Sequence, residues 1–187
     1  MNFSGEAYNV EMGVTNEVFP NERHTACQFN PTPEDHPDFE GGVSGVQHFT
    51  DFMRLLAPPQ PAEPTASTVR GQQVFMNIGC SLCHTPTLKT RGSDIEALSK
   101  QPVNLFSDLL LHDMGRGLAG GVSQRLATGN EFRTAPLWGV GQRLFFLHDG
   151  RTSDLKTAIL AHESTGSEAN RSIGLFKGSR SSTSSIC

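Results

Sequence analysis

Cys80-Ser81-Leu82-Cys83-His84 is the stretch on which the reading of this 187-residue sequence turns. It sets two thiols three positions apart and follows the second with an imidazole. The residues before it, 68–78, place Val74, Phe75 and Ile78 on one helical face, and Gly79 breaks that helix. A chain that turns at a helix end can present both thiols to the two vinyl groups of a porphyrin and let His84 bind the iron from one side. A redox dithiol has no need of His84, and a four-ligand zinc site wants a second close pair of ligands that the sequence does not offer. One covalently attached haem c per chain, on Cys80 and Cys83 with His84 as proximal ligand, is therefore the expected cofactor.

The sixth iron position has four candidates in the sequence: His112, Met114, His148 and His162. A helix opening at Thr152 or Ser153 carries Leu155, Ala158, Ile159 and His162 on one face, which puts an imidazole among apolar neighbours that a haem would explain. Met114 is the alternative, since a thioether suits electron transfer by raising the potential. An open position is the third possibility. For the propionates, carboxylates that guanidinium groups pair well, Arg133 is the first choice because Phe132, Leu137 and Trp138 flank it; Arg151 is the second. Either arginine has an ordinary reading as a surface ion pair. Trp138 is read as packing near the ring edge or as plain core.

Composition narrows the partners. Fifteen Lys and Arg stand against 19 Asp and Glu, a formal charge of −4, and no basic block appears, so nucleic acid is not an expected partner. The longest apolar runs fall far short of the roughly 20 residues that cross a bilayer. The first residues, Met1-Asn2-Phe3-Ser4-Gly5-Glu6, lack the pattern of a secretory leader, although covalent haem attachment belongs outside the bacterial cytoplasm. The sequence is thus expected to begin after a leader or to be a fragment. At 36% hydrophobic residues the chain is poor in core material, which a cofactor would supplement. A disulfide between Cys27 and Cys187 is not expected.

The expected fold is mostly α. Residues 1–66 read as a long irregular extension, rich in Asn, Glu, Pro and Gly, with one helix near 46–56 where Val46, Phe49, Phe52, Met53 and Leu56 recur at helical spacing. Residues 57–66 read as a linker. Residues 67–166 form a cytochrome c-like haem domain that includes a short helix over 104–112. Residues 167–187 read as a flexible tail rich in Ser, Gly and Arg, with no closing helix.

Four separated stretches carry a resemblance. They are Tyr8-Asn9-Val10-Glu11-Met12-Gly13-Val14-Thr15-Asn16-Glu17, Leu109-Leu110-Leu111-His112-Asp113-Met114-Gly115, Phe132-Arg133-Thr134-Ala135-Pro136-Leu137-Trp138-Gly139 and Leu147-His148-Asp149-Gly150-Arg151. Over residues 8–166 the chain resembles the di-haem oxidoreductases described as thiol oxidoreductase-like, relatives of the di-haem cytochrome c peroxidases. The resemblance implies a mostly helical cytochrome c domain, a periplasmic setting and a second haem domain preceding this one. It also favours His162 over Met114 as the second iron ligand, with a lower potential than methionine would give.

Three functions follow as expectations. The first is electron transfer to a redox partner protein or to the preceding haem domain. The second is peroxide reduction at an open iron, with His112, His148 or Glu131 as acid and base. The third is an incomplete, non-catalytic fragment, suggested by the single Cys-x-x-Cys-His and by the missing closing helix.

Overall fold

A computed structural model of the chain describes residues 1–22, 24–29, 31–37, 42–124 and 126–181. It forms two compact units, Met1–Ala57 and Pro58–Cys187.

In the first unit, α1 (Asn2–Met12) ends at Gly13, whose φ of 70° is open to glycine. Helix α2 (Gly45–Leu55) starts at Ser44, whose hydroxyl accepts the Gln47 amide. The Asp35 carboxylate receives the amides of Gly45 and Val46 at 2.7 and 2.8 Å, answering the orphan donors and positive end of α2. Asn16 is wholly buried. Its amide donates to the carbonyls of Gly5 and Val14, and its oxygen accepts from Val18 and Phe19, all between 2.9 and 3.3 Å. Tyr8 packs on Phe49 with ring centroids 5.9 Å apart. The irregular extension expected over residues 1–45 is corrected here by α1. The Pro and Gly of that segment mark turns, but Asn16 and the Tyr8–Phe49 contact fasten α1 in a way that local composition does not reveal.

In the second unit, α3 (Ala66–Asn77) opens on a capping box between Thr65 and Thr68. It ends at Ile78, and Gly79 (φ 85°) turns the chain into a single 3₁₀ turn, Cys80–Leu82. Phe75 and Ile78 are half-buried while Val74 is exposed. Two small antiparallel pairs follow, β1 (Leu88–Lys89) with β2 (Pro102–Val103) and β3 (Leu111–Asp113) with β4 (Glu131–Arg133). Helices α4 (Leu155–Leu160) and α5 (Asn170–Ser181) complete the unit. Among the described residues its buried apolar side chains are Leu105, Leu118, Ala158 and Ile173.

Three expectations are corrected in this unit. Residues 104–112 are not a helix: Phe106 and Leu109 have φ of 55° and 61°, and the backbone is taken up by distant partners, Phe106 by Pro86, Asp108 by Cys83 and Leu110 by Thr134. Helix α4 is capped by Asp154, which accepts from the Thr157 amide and hydroxyl at 2.6 Å, rather than by Thr152 or Ser153. The tail expected to be flexible contains α5, so a closing helix exists. Burial of Ile173 and two hydrogen bonds between Asn170 and Ser164 fix its start, outweighing a Ser- and Gly-rich composition. Residues 182–187, including Cys187, lie outside the described residues; Cys27 is exposed.

Candidate haem site

The end of α3 builds the site. Gly79 is left-handed, and a Cβ there would come within 3.1 Å of the Ser172 hydroxyl of α5, so the turn that presents the thiols passes close under the closing helix. His84 N donates to Cys80 O at 2.9 Å, which closes the motif into one compact loop. Both thiols are free and half-buried. Burial raises the pKa of Cys80. Burial, and then the charges of Asp108 and Glu168, raise that of Cys83. Thiols held protonated in this way are poor partners for dithiol exchange. Among the described residues no group of three or more His, Cys, Asp and Glu side chains converges to hold a metal ion by itself.

The ring of His84 is oriented by the backbone. Its Nδ1 lies 3.0 Å from the carbonyl of Phe106, and a carbonyl only accepts, so Nδ1 carries the proton and Nε2 keeps its lone pair. Burial lowers the pKa of His84, the Phe106 carbonyl opposing it and His162 adding to it. The imidazole is therefore neutral, the form that ligates iron. Phe75 lies beside it, with ring centroids 6.4 Å apart, and Phe106 packs edge-on against Phe75 at 6.0 Å.

His162 arrives by the way α4 ends. The amides of residues 161 and 162 close on Thr157 and Ile159, so the helix tightens and the Ala158 carbonyl loses its backbone partner. The ring of His162 supplies it, with Nδ1 2.8 Å from Ala158 O. His162 thus aims its Nδ1–H at a backbone carbonyl as His84 does, and it lies near enough to oppose protonation of His84. Two imidazoles that each aim Nδ1 at a backbone carbonyl, two adjoining thiols and half-buried Phe75, Ile78 and Phe106 are groups that would suit a covalent haem.

The sequence model of a family described as "Di-haem oxidoreductase, putative peroxidase" matches residues 2–186. The chain belongs to this di-haem oxidoreductase family. It matches no curated protein and no solved structure at a significant level. The family supplies a haem cofactor and a haem-based redox theme; the sequence in hand contains one Cys-x-x-Cys-His. No helix among the described residues is long and apolar enough to cross a membrane.

The other candidate residues of this family member lie on β3, on β4 and in the loops that follow them. His112, on β3, has Nε2 2.9 Å from Asp108 Oδ2 and Nδ1 2.8 Å from Glu168 Oε2, so both ring nitrogens are taken. Met114 is half-buried and its backbone is pinned, its amide to Asn130 O and its carbonyl by the Ser164 hydroxyl. His148 is exposed and stacks on Phe132 of β4, with ring centroids 4.6 Å apart. Glu131 accepts from the Thr128 amide and hydroxyl at 2.7 and 2.9 Å, serving a turn. Arg151 pairs with Asp149 at 2.6 Å and donates to Gly117 O at 2.8 Å, the surface ion-pair reading of that residue. Arg133 and Trp138 are both exposed.

Sequence reasoning missed Phe106, Ser107, Asp108 and Glu168. Phe106 acts through its carbonyl, which no side-chain pattern announces. Asp108 and His112 stand four apart, but the pair forms across an irregular segment and not along a helix.

Proposed function

We propose that this di-haem oxidoreductase family member moves electrons one at a time through a haem c attached at Cys80 and Cys83, with Nε2 of His84 and of His162 as iron ligands. The observation that carries the reading is a shared orientation: each ring donates its Nδ1–H to a backbone carbonyl, the arrangement that would leave Nε2 to a metal. When bound, the haem supplies a one-electron iron couple. The chain's own part is to fix the two imidazoles, hold both thiols, and exclude water with Phe75 and Phe106. The electron partner in this reading is a redox protein or a haem domain beyond these residues. Its setting is the periplasm, where thioether attachment takes place.

Peroxide reduction is the second reading, favoured by the family description. It requires an open iron position and an acid-base group. His112 and Glu131 are occupied, so His148, exposed beside Phe132, would take that role.

Absorption spectra of the holoprotein, oxidised, reduced, and reduced with carbon monoxide, separate the readings. Electron transfer predicts a low-spin spectrum that carbon monoxide does not change. A methionine-to-iron charge-transfer band would give the sixth position to Met114. A high-spin spectrum shifted by carbon monoxide would displace electron transfer in favour of peroxide chemistry.

A further inference from the structure

Between β2 and β3, residues 105–109 carry two non-glycine residues in the left-handed region, Phe106 (φ 55°) and Leu109 (φ 61°). Side chains with a Cβ disfavour that region, so something else must hold them there. Ser107, wholly buried, stands between them. Its hydroxyl donates to Thr134 O at 2.7 Å and accepts from the Leu109 amide at 2.9 Å. On either side Phe106 N reaches Pro86 O at 3.3 Å and Asp108 N reaches Cys83 O at 2.9 Å. This suspension aims the Phe106 carbonyl at His84 Nδ1, 3.0 Å away.

We propose that Ser107 is a positioning residue for His84: its hydroxyl, strung between Thr134 O and Leu109 N, keeps Phe106 left-handed and its carbonyl on Nδ1 of the proximal ring. The proposal rests on the reading of His84 as an iron ligand. A carbonyl held on Nδ1–H raises the electron density of the imidazole, makes Nε2 the stronger donor and favours the ferric state. Loosening the loop weakens that hydrogen bond and moves the potential upward. The Arg133-Thr134-Ala135 stretch then has a role through the backbone of Thr134, independent of any propionate contact by Arg133.

The test compares wild-type, Ser107→Ala and Ser107→Thr holoproteins by haem content, reduction potential and unfolding temperature. The expected result is full covalent attachment in all three, an upward shift of potential in Ser107→Ala, and a return towards wild type in Ser107→Thr, which keeps the hydroxyl. A Ser107→Ala protein that binds haem and unfolds earlier with an unmoved potential would overturn the proposal, since Ser107 would then be structural only. Wild-type protein without covalent haem would instead overturn the haem reading beneath it. Should Ser107→Ala yield no holoprotein, hydrogen exchange of the wild type decides: the Leu109 amide and the His84 Nδ1 proton are expected to exchange through one opening event. Exchange through separate events would refute the coupling.

Discussion

Nδ1 of His112 and Oε2 of Glu168 lie 2.8 Å apart, which fastens a side chain of β3 to the turn that leads into α5. The same glutamate accepts from the Asp113 amide at 3.0 Å, and Asp108 holds the opposite nitrogen of the ring. A ring with a carboxylate on each nitrogen is an imidazolium, a donor at both ends.

This bridge gives stability a pH window. The hydrogen bond to Glu168, opposed by burial and aided by Asp108, raises the pKa of His112. A raised histidine contributes fully below its unfolded value, about 6.5, and loses that contribution as pH climbs through the folded value. The His112 ring and the Asp113 amide lower the pKa of Glu168, so its contribution fades as pH falls through its depressed value. Glu168→Gln is expected to cost about 1 kcal/mol near about pH 6, a figure kept small because the carboxylate is half exposed. The Tm difference from wild type should narrow in more alkaline buffer; a constant difference across pH would contradict the bridge.

Replacing His162 probes the iron. His162→Met is expected to keep the covalent haem and raise the reduction potential, while His162→Gly should open the sixth position and let the reduced protein bind carbon monoxide. Unchanged spectra in both variants would remove His162 from the ligand set.

Two left-handed glycines separate local strain from crowding. At Gly115 (φ 67°) a Cβ would collide with the Ser164 hydroxyl and lie 2.6 Å from Thr165 O and 2.9 Å from Ser167 N, whereas at Gly121 (φ 68°) nothing lies within 4 Å. Gly121→Ala should therefore cost only the conformational term, about 1 kcal/mol. Gly115→Ala should cost roughly 3 kcal/mol or more, because backbone must move. Denaturant midpoints of the two variants measure the gap.

Ile173 is 4% exposed and sits in the first turn of α5. Ile173→Ala is expected to destabilise by about 2–4 kcal/mol. The exposed Leu175, 47% accessible, should tolerate the same change within about 0.5 kcal/mol. Equal effects at the two positions would mean that α5 is not docked through Ile173.

Some of this protein was legible in its residues alone. Cys80-Ser81-Leu82-Cys83-His84 stands out by its spacing, and the helices ahead of it and over 45–55 follow from apolar periodicity, since both signals are local. The helix expected to carry His162 on one apolar face with Leu155 is shorter than its pattern suggests: α4 ends at Leu160, and Leu155 is exposed. Other features depend on groups far apart in sequence. Helix α1 is held by Asn16 and Phe49, and α5 by Ile173 and the Ser164–Asn170 bonds, so their own Asn-, Gly- and Ser-rich composition misleads. Residues 104–112 look helical by pattern, yet the left-handed Phe106 and Leu109, with bonds from Phe106 to Pro86, Asp108 to Cys83, Leu109 to Ser107 and Thr134 to Leu110, set another path. The orientation of His84 was likewise decided only in three dimensions. Its partner is a backbone carbonyl, a group every residue possesses, and what distinguishes that of Phe106 is the buried hydroxyl of Ser107 beside it.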